Sequence, residues 1–181
     1  TSSSINFNVT SSESGTGSLV PNLDNSLVSW WRMDDTNGSA NSVSDYMGRN
    51  NGTAVGNAIQ TDAGKMGKGE SFDGSGDYVD FADTQQTIAD GSNYTICTWI
   101  KPIQTPPTSF GIYGLTYNVN DNGDGYLLYY FSDGKVYSTI GNGTNIVYLT
   151  NGILASLNTW TQACISFNGT SLISYVNSIK G

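Results

Sequence analysis

Residues 67–81, GKGESFDGSGDYVDF, form the stretch around which the rest of the predicted fold is arranged. One strand is predicted to end at Phe72 and the next to begin at Tyr78. The turn between them contains two glycines, which adopt positive φ at little cost, and two aspartates, which accept hydrogen bonds from turn amides: Asp73, Gly74, Gly76 and Asp77. This pattern is typical of a β-hairpin, but crowded aspartates also suit a hard cation such as calcium. The sequence leaves both interpretations open.

The composition indicates a single acidic domain, with or without a short arm, that is rich in turns. The chain has 181 residues, a formal net charge of −8, 22 glycines and only 4 prolines. Many glycines and few charges are typical of short strands joined by turns. Because no basic cluster is present, nucleic acid and anionic membrane surfaces are not expected partners. No apolar run approaches the roughly 20 residues that cross a bilayer, so no membrane insertion is expected within this chain.

Several features favour an extracellular or cell-surface location. Lysine and arginine together number only 7, while asparagine, serine and threonine are abundant. N-x-Ser/Thr glycosylation sequons, which are typical of secreted proteins but also arise by chance in such a composition, occur at Asn8, Asn37, Asn51, Asn93, Asn142 and Asn168.

Residues 1–26 are predicted to be a separate N-terminal strand arm with a Ser/Gly-rich linker. Ile5, Phe7 and Val9 alternate with polar residues, as in a half-buried strand, and residues 11–18 have the composition of a flexible tether. Such an arm either folds back onto its own domain or docks elsewhere. The domain itself is predicted to span residues 27–181.

Alternating apolar and polar residues predict strands along the rest of the chain. In 94–101 and 160–167 the alternation places apolar side chains on one face, and residues 125–131 and 135–140 flank the turn Ser132-Asp133-Gly134. No segment has a convincing helical period. The predicted fold class is therefore all-β, an antiparallel sandwich of two sheets.

A second acidic loop is a candidate for calcium. Asp45, Asn50 and Asn51 supply oxygen atoms from a loop dense in turn formers, and Asp34 ends the strand predicted at Leu27–Met33. Together with the turn at 73–77, the candidate calcium ligands are Asp34, Asp45, Asn50, Asp73 and Asp77. A solvated loop without metal remains the alternative.

Six segments in order resemble the laminin-G-like, concanavalin A-like jelly-roll domain of many prokaryotic surface proteins. They are LVSWWRMDD (27–35), DYMGRNNGT (45–53), AGKMGKGESFDGSGDYVDF (63–81), YTICTWIKP (94–102), SDGKVYSTIG (132–141) and NTWTQACISFNGTSLISYVN (158–177). The resemblance implies two curved antiparallel sheets packed face to face, often with a structural calcium. It also implies binding of carbohydrate or protein rather than catalysis.

Three departures from the family pattern matter, one of which is Ser178 in place of the glycine usual after YVN (175–177). Glu70 stands where the family usually has a large apolar residue, so it is expected at a sheet edge, beside a partner or at a metal. The family also continues with closing strands beyond the point at which this sequence stops, so a jelly roll incomplete at its C-terminus is expected.

Within this resemblance, the cysteines and one tryptophan acquire expected roles. Cys97 and Cys164 fall on the same side of their strands, and a cross-strand disulfide between them is expected if the strands are neighbours. Two unrelated buried thiols are the alternative. Trp99 shares the face of Cys97, which is the concave face by the family's geometry, and is the candidate for stacking on a sugar ring unless loops bury it.

Catalysis is not expected. The chain has no histidine, so it lacks Ser-His and Cys-His nucleophile pairs. The hydrolases that share this fold carry an E-x-D-x-x-E pattern, whereas the only glutamates here are Glu13 and Glu70, in different segments.

Two functions remain. The first is a non-catalytic extracellular binding or adhesion domain, stabilised by calcium, that recognises a glycan or a surface protein. The second is a structural subunit of an extracellular filament or surface layer, in which the arm of one copy adds a strand to the next.

Overall fold

The computed structural model describes residues 26–34, 41–81, 93–116, 125–141, 146–148 and 152–181. All regular structure in these residues is β. The strands are β1 (Ser42–Val43), β2 (Gly52–Val55), β3 (Ile59–Thr61), β4 (Gly69–Ser71), β5 (Tyr78–Asp80), β6 (Tyr94–Ile100), β7 (Ser109–Thr116), β8 (Gly125–Phe131), β9 (Lys135–Gly141), β10 (Ile146–Tyr148), β11 (Ile153–Leu154), β12 (Thr161–Phe167), β13 (Leu172–Val176) and β14 (Ile179–Lys180).

These strands form antiparallel sheets of which two build the sandwich. One sheet has the order β10-β9-β8-β7, with β11 also paired to β9, and the other has the order β14-β13-β12-β6. The predicted turn at Gly134 joins β8 to β9 and adopts a φ of 78°. Smaller sheets β1-β2-β5 and β3-β4 precede the sandwich in the chain.

The main core lies between the two large sheets. Alternation along each strand turns one row of side chains inward, which is why β12 buries Ala163 and Ile165 completely. Opposite them, Leu128 and Val136 from β8 and β9 are equally buried in the same cluster. This arrangement confirms the predicted all-β sandwich.

A second apolar cluster lies under the small sheets. Phe81 packs against Trp31 with 4.1 Å between ring centroids, beside Val43 and Ala54. Gly52 is buried beneath the Phe81 ring, and a Cβ there would come within 2.6 Å of it. Only glycine therefore allows β2 to approach this ring so closely.

The stretch 67–81 does not form the predicted hairpin. β4 pairs with β3, and β5 pairs with β2, so the turn after Phe72 joins strands of two different sheets. The turn itself is as expected, because Gly74 and Gly76 adopt φ of 86° and 79°. The hairpin was wrong because a tight turn brings two strands close but does not decide which strand each one pairs with.

The predicted arm lies outside the described residues, including Ile5, Phe7 and Val9. The strand expected in Leu27–Met33 is reduced to one bridge, between Trp31 and Asp45.

Candidate functional site

Strand β6 places Trp99 on the outward face of the β14-β13-β12-β6 sheet. Ile96 and Ile100 of the same strand face the core, so Cys97 and Trp99, at the alternate positions, face outward. The Trp99 side chain is 36% exposed, with Gln162 of β12 directly opposite. We call this surface the Trp99 face; its strand positions are Thr95, Cys97, Trp99, Gln162, Cys164, Ser166, Ile173, Tyr175 and Lys180.

A disulfide crosses the middle of the Trp99 face. Cys97 and Cys164 are directly opposite each other in the register of β6 and β12 and are bonded, with 4.1 Å between Cα atoms. The expected pairing is confirmed. Because the bond joins strands that are far apart in sequence, it fixes the backbone beside Trp99 to the centre of the sheet.

Lys65 lies against the Trp99 ring. This lysine belongs to the loop between β3 and β4, and its Nζ is 4.8 Å from the ring centroid. An ammonium over an indole face is attracted by the ring quadrupole. The loop is thereby positioned beside the sheet, and a positive charge is held next to the exposed aromatic ring.

Asp45 is the organising acceptor of its loop. Its carboxylate is 4% exposed and accepts hydrogen bonds from the backbone amides of Trp30, Met47, Arg49 and Asn50, at 2.8–3.2 Å. Burial raises the pKa of Asp45, but these four hydrogen bonds outweigh burial and hold the pKa below its ordinary value. Four donors fill the acceptor sites of one carboxylate, so Asp45 stabilises the loop and has no site left for a cation.

Asn50 and Asn51 complete this loop. The Asn50 carbonyl accepts the indole N–H of Trp31 at 2.6 Å, and its side-chain amide donates to the Ser29 hydroxyl. The Asn51 side-chain oxygen accepts the Asp45 amide at 2.9 Å. These residues tie the loop to the segment before it.

Of the other predicted calcium ligands, Asp34 pairs with Arg32, whereas Asp73 and Asp77 share one turn. One oxygen of Asp34 accepts from Arg32 at 2.8 Å, and its second oxygen is buried without a partner. Asp77 accepts the amides of Asn57 and Asp73 at 2.7 and 2.6 Å. Asp73 accepts the Ser75 amide and the Asn57 side-chain amide at 2.8 and 3.0 Å.

The five predicted ligands therefore lie in more than one loop, as their positions in the sequence implied. In the part of the chain that the structure describes, no three acidic, cysteine or histidine side chains are grouped as metal ligands would be. Asp73 and Asp77 are the pair that remains compatible with a cation, since each of their oxygens accepts only one hydrogen bond. Hydrogen bonds from Asn57, a contact with Asp77 and the Ser75 amide lower the pKa of Asp73, which keeps it ionised. Calcium itself stays a prediction.

Glu70 lies half-buried in a small cleft. The cleft has a volume of about 120 Å³ and is mostly apolar, lined by Met33, Asn41, Ser42, Val43, Ala54, Ala58, Ile59, Gln60 and Glu70. Its strand β4 pairs with β3 alone among the described strands, which matches the expected edge position. Burial raises the pKa of Glu70, so the cleft favours the neutral acid.

Three of the sequons lie in described residues. Asn51, Asn93 and Asn168 are all exposed. Asn8, Asn37 and Asn142 fall outside the described ranges, and glycosylation of all six stays a prediction.

Sequence reasoning missed an aromatic cluster on the other large sheet. Tyr129, Phe131 and Tyr137 contact one another on the outward face of β8 and β9, with ring centroids 5.9–6.3 Å apart. Alternation in YLLYYF and KVYST could have placed these residues on outward positions. Their contact depends on the cross-strand register, in which Tyr129 is opposite Tyr137.

The comparisons with known proteins agree with the fold. The profile of the Laminin_G_3 family, the concanavalin A-like lectin/glucanases superfamily, matches residues 73–180, more than half of the chain. A crystal structure of an S-layer domain-containing protein from Clostridium thermocellum is similar with a TM-score of 0.52 and 22% identity, covering 84% of this chain and 69% of that one. No curated protein matches significantly. Within the described ranges, no helix is long and apolar enough to cross a membrane. On the strength of the profile, this chain belongs to the concanavalin A-like lectin/glucanase superfamily.

Proposed function

We propose that this chain is a non-catalytic binding domain of a cell-surface protein and that it recognises a glycan through the Trp99 face. The observation that carries this proposal is the partly exposed Trp99 ring on the solvent-facing side of the sheet, beside the polar side chain of Gln162. A flat aromatic ring stacks on the apolar face of a pyranose and loses little conformational entropy on binding. The disulfide supports the same role because it holds the ring's strand in place before the ligand arrives.

Charge favours an acidic glycan on this face. The chain has 15 acidic residues, yet none of the strand positions of the Trp99 face is acidic. Lys65 is beside the ring, and Lys180 lies opposite Tyr175 at the other side of the face. A carboxylate or sulfate on the sugar would therefore meet positive charge and no repulsion.

Catalysis is not part of this proposal. The chain has no histidine, and the only glutamate within the described residues, Glu70, lies in its own cleft without a second carboxylate among the lining residues. Glycosidases require two carboxyl groups at a set separation.

An extracellular location is part of the proposal and has three supports. The disulfide fits an oxidising compartment, and three sequons are exposed. The similar crystal structure belongs to a protein described as containing an S-layer domain.

The direct test is affinity electrophoresis of the wild-type chain in gels containing alginate, hyaluronan, neutral glucan or no polysaccharide. We expect retardation by an acidic polysaccharide and a loss of affinity of about tenfold in Trp99→Ala. Lys65→Ala should weaken the acidic interaction alone. Ile103→Ala, which removes another exposed apolar side chain, is the matched control. Retardation that is the same in Trp99→Ala and Ile103→Ala would exclude this face.

Calcium is proposed only for the turn that carries Asp73 and Asp77. Two carboxylates with exposed oxygens would hold calcium weakly, in the range of about 10⁻⁴ to 10⁻³ M that is typical of extracellular modules. We expect the melting temperature to rise when calcium replaces EDTA at millimolar concentration. Asp77→Asn should abolish that rise, whereas an equal rise in wild type and variant would place calcium elsewhere.

A second candidate function is assembly into a filament or surface layer by strand exchange. It is favoured by the similarity to an S-layer domain-containing protein and by strand β6, which pairs with β12 alone among the described strands. The predicted strand Ile5-Phe7-Val9 of a neighbouring copy could pair with an open edge of this kind. Light scattering of the chain with and without residues 1–12 tests this function. Assemblies that become monomers on deletion support it, and monomers in both samples exclude it.

A further inference from the structure

We propose that the aromatic cluster of Tyr129, Phe131 and Tyr137 is a second binding site, which takes an uncharged pyranose on the face of the sandwich opposite Trp99. The argument is independent of the Trp99 face. It rests on ring geometry, on an open space beside the rings and on the polar groups at their rim.

The rings form a stacked pair with a third ring at its end. Tyr129 and Tyr137 are nearly parallel, with 18° between their planes and 5.9 Å between centroids. Phe131 meets both rings edge-on and is 39% exposed. Rings held by their neighbours present a fixed apolar surface, so little side-chain freedom is lost on binding.

Two glycines determine where this surface is open. Tyr137 leans over Gly152, where an added Cβ would lie 2.4 Å from the ring. On the other side of the pair, Gly111 of β7 is opposite Tyr129, and a Cβ at Gly111 would meet nothing within 4 Å. Tyr137 therefore leans toward β11 and away from β7, and the space directly above Gly111 is open.

A β-bulge lies at Gly111, beside this open space. The register between β7 and β8 shifts between Gly111 and Tyr113, which marks a β-bulge. The extra residue, Ile112, packs against the core, so Gly111 remains the outward position. Bulges often occur beside functional sites, where they redirect neighbouring side chains.

The rim of the site carries a fixed carboxylate. Asp133 accepts the hydroxyl of Tyr137 at 2.7 Å and the amide of Lys135 at 3.1 Å, one on each oxygen. Oδ1 of Asp133, which accepts only the Lys135 amide, keeps a lone pair for a sugar hydroxyl. The hydrogen bond from Tyr137 holds the pKa of Asp133 below its ordinary value, and the Lys135 ammonium lies 3.7 Å from the other carboxylate oxygen. The rim is therefore a neutral ion pair, which suits an uncharged sugar.

The size of the cluster favours a small ligand over a protein. An aromatic side chain has about 150–250 Å² of surface to bury, and these three are already partly covered. A stable protein interface buries about 800 Å² on each partner. One or two pyranose rings, in contrast, match a ring pair beside an open space.

The two sites would face opposite directions. The inner faces of the two large sheets share one core, in which Leu128 and Val136 meet Ile165 and Val176. Their outer faces, with the aromatic cluster on one and Trp99 on the other, therefore point away from each other. One domain could hold a neutral and an acidic glycan at the same time.

The sharpest test fills the open space without removing a contact. Gly111→Val suits an exposed strand position where a Cβ has room, so this variant should fold as the wild type does. It should block access to Tyr129. Tyr129→Ala removes the stacking ring, and Trp99→Ala is the matched control on the other face. Each is run by affinity electrophoresis against glucan, mannan, galactan and xylan, with alginate as the acidic probe.

We expect wild type and Trp99→Ala to be retarded by at least one neutral polysaccharide. Gly111→Val and Tyr129→Ala should each lose about tenfold in that affinity and keep their response to alginate. Two results would overturn the proposal: no retardation of folded wild type by any of the four neutral polysaccharides, or retardation that Gly111→Val leaves unchanged. Neither result bears on the Trp99 face, which the alginate response tests separately.

Discussion

At the scale of single residues, Asp45 shows how one buried carboxylate can define a loop. Three of its four backbone donors follow it in the loop, and the fourth is Trp30, 15 positions earlier. Such a carboxylate cannot be replaced by a neutral group without leaving buried amides unpaired.

We predict that Asp45→Asn lowers the free energy of unfolding by about 2–3 kcal/mol at pH 7, and Asp45→Ala by more. The folded-state pKa of Asp45 is below its ordinary value of 3.8. The charged carboxylate therefore stabilises the folded state above pH 3.8, and this stabilisation is lost as the pH falls through the folded-state pKa. Urea unfolding between pH 7 and pH 3 measures both effects. The difference between wild type and Asp45→Asn should shrink in acid, and a constant difference would contradict the proposed role of the charge.

The contribution of Glu70 to the free energy of unfolding should show the opposite pH dependence. Burial raises the pKa of Glu70 above its ordinary value of 4.5. Above the folded-state pKa, the charged carboxylate therefore lowers the free energy of unfolding. This destabilisation disappears as the pH falls and the carboxylate is protonated. We predict that Glu70→Leu raises the free energy of unfolding by about 1 kcal/mol at pH 7 and by less at pH 4. The reason is that the side chain lies in a largely apolar cleft. Glu70→Gln is the control without charge. If Glu70→Leu destabilises the protein at both pH values, the carboxylate has a partner that stabilises it.

At the scale of elements, the disulfide joins β6 to β12 across a sequence separation of 67 residues. The chain-entropy model predicts that losing such a cross-link costs about 4 kcal/mol. We therefore expect the double variant Cys97→Ala/Cys164→Ala to have a clearly lower urea midpoint than the oxidised wild type. Wild type kept reduced with dithiothreitol is the control and should match the double variant. Equal midpoints for oxidised wild type and double variant would show that the cross-link does not restrict the unfolded chain.

At the scale of the whole molecule, the two large sheets are held together by one core. Ile165 is fully buried at its centre, whereas Ile179 on β14 is 63% exposed. We predict that Ile165→Ala lowers the free energy of unfolding by about 3 kcal/mol and that Ile179→Ala, the same substitution on the surface, changes it by less than about 0.5 kcal/mol. Denaturant titration of both variants measures the difference. Similar effects for the two would mean that the sheets are not stabilised mainly through this core.

Some features of the whole molecule could be predicted from the sequence, and others could not. Alternation is a local property, so the outward position of Trp99, the inward position of Ile165 and the all-β class followed from neighbouring residues alone. The positive φ of Gly74 and Gly76 was equally local. The pairing of Cys97 with Cys164 was expected only if their strands are neighbours, and the structure shows that β6 and β12 are paired.

Contacts between distant segments were decided by the tertiary structure. β4 and β5 are adjacent in sequence but pair with β3 and β2, and β5 leads into Phe81, which is buried against Trp31. The oxygens of Asp45, a predicted calcium ligand, instead accept amides of its own loop and of Trp30, a contact between distant segments that the local sequence does not indicate. The stacking of Tyr129 on Tyr137 depends on a register that no local pattern contains. The sequence by itself determined which face each side chain takes, because that depends on the backbone period. Which faces meet depends on burying apolar surface over the whole chain, and only the tertiary structure decides that.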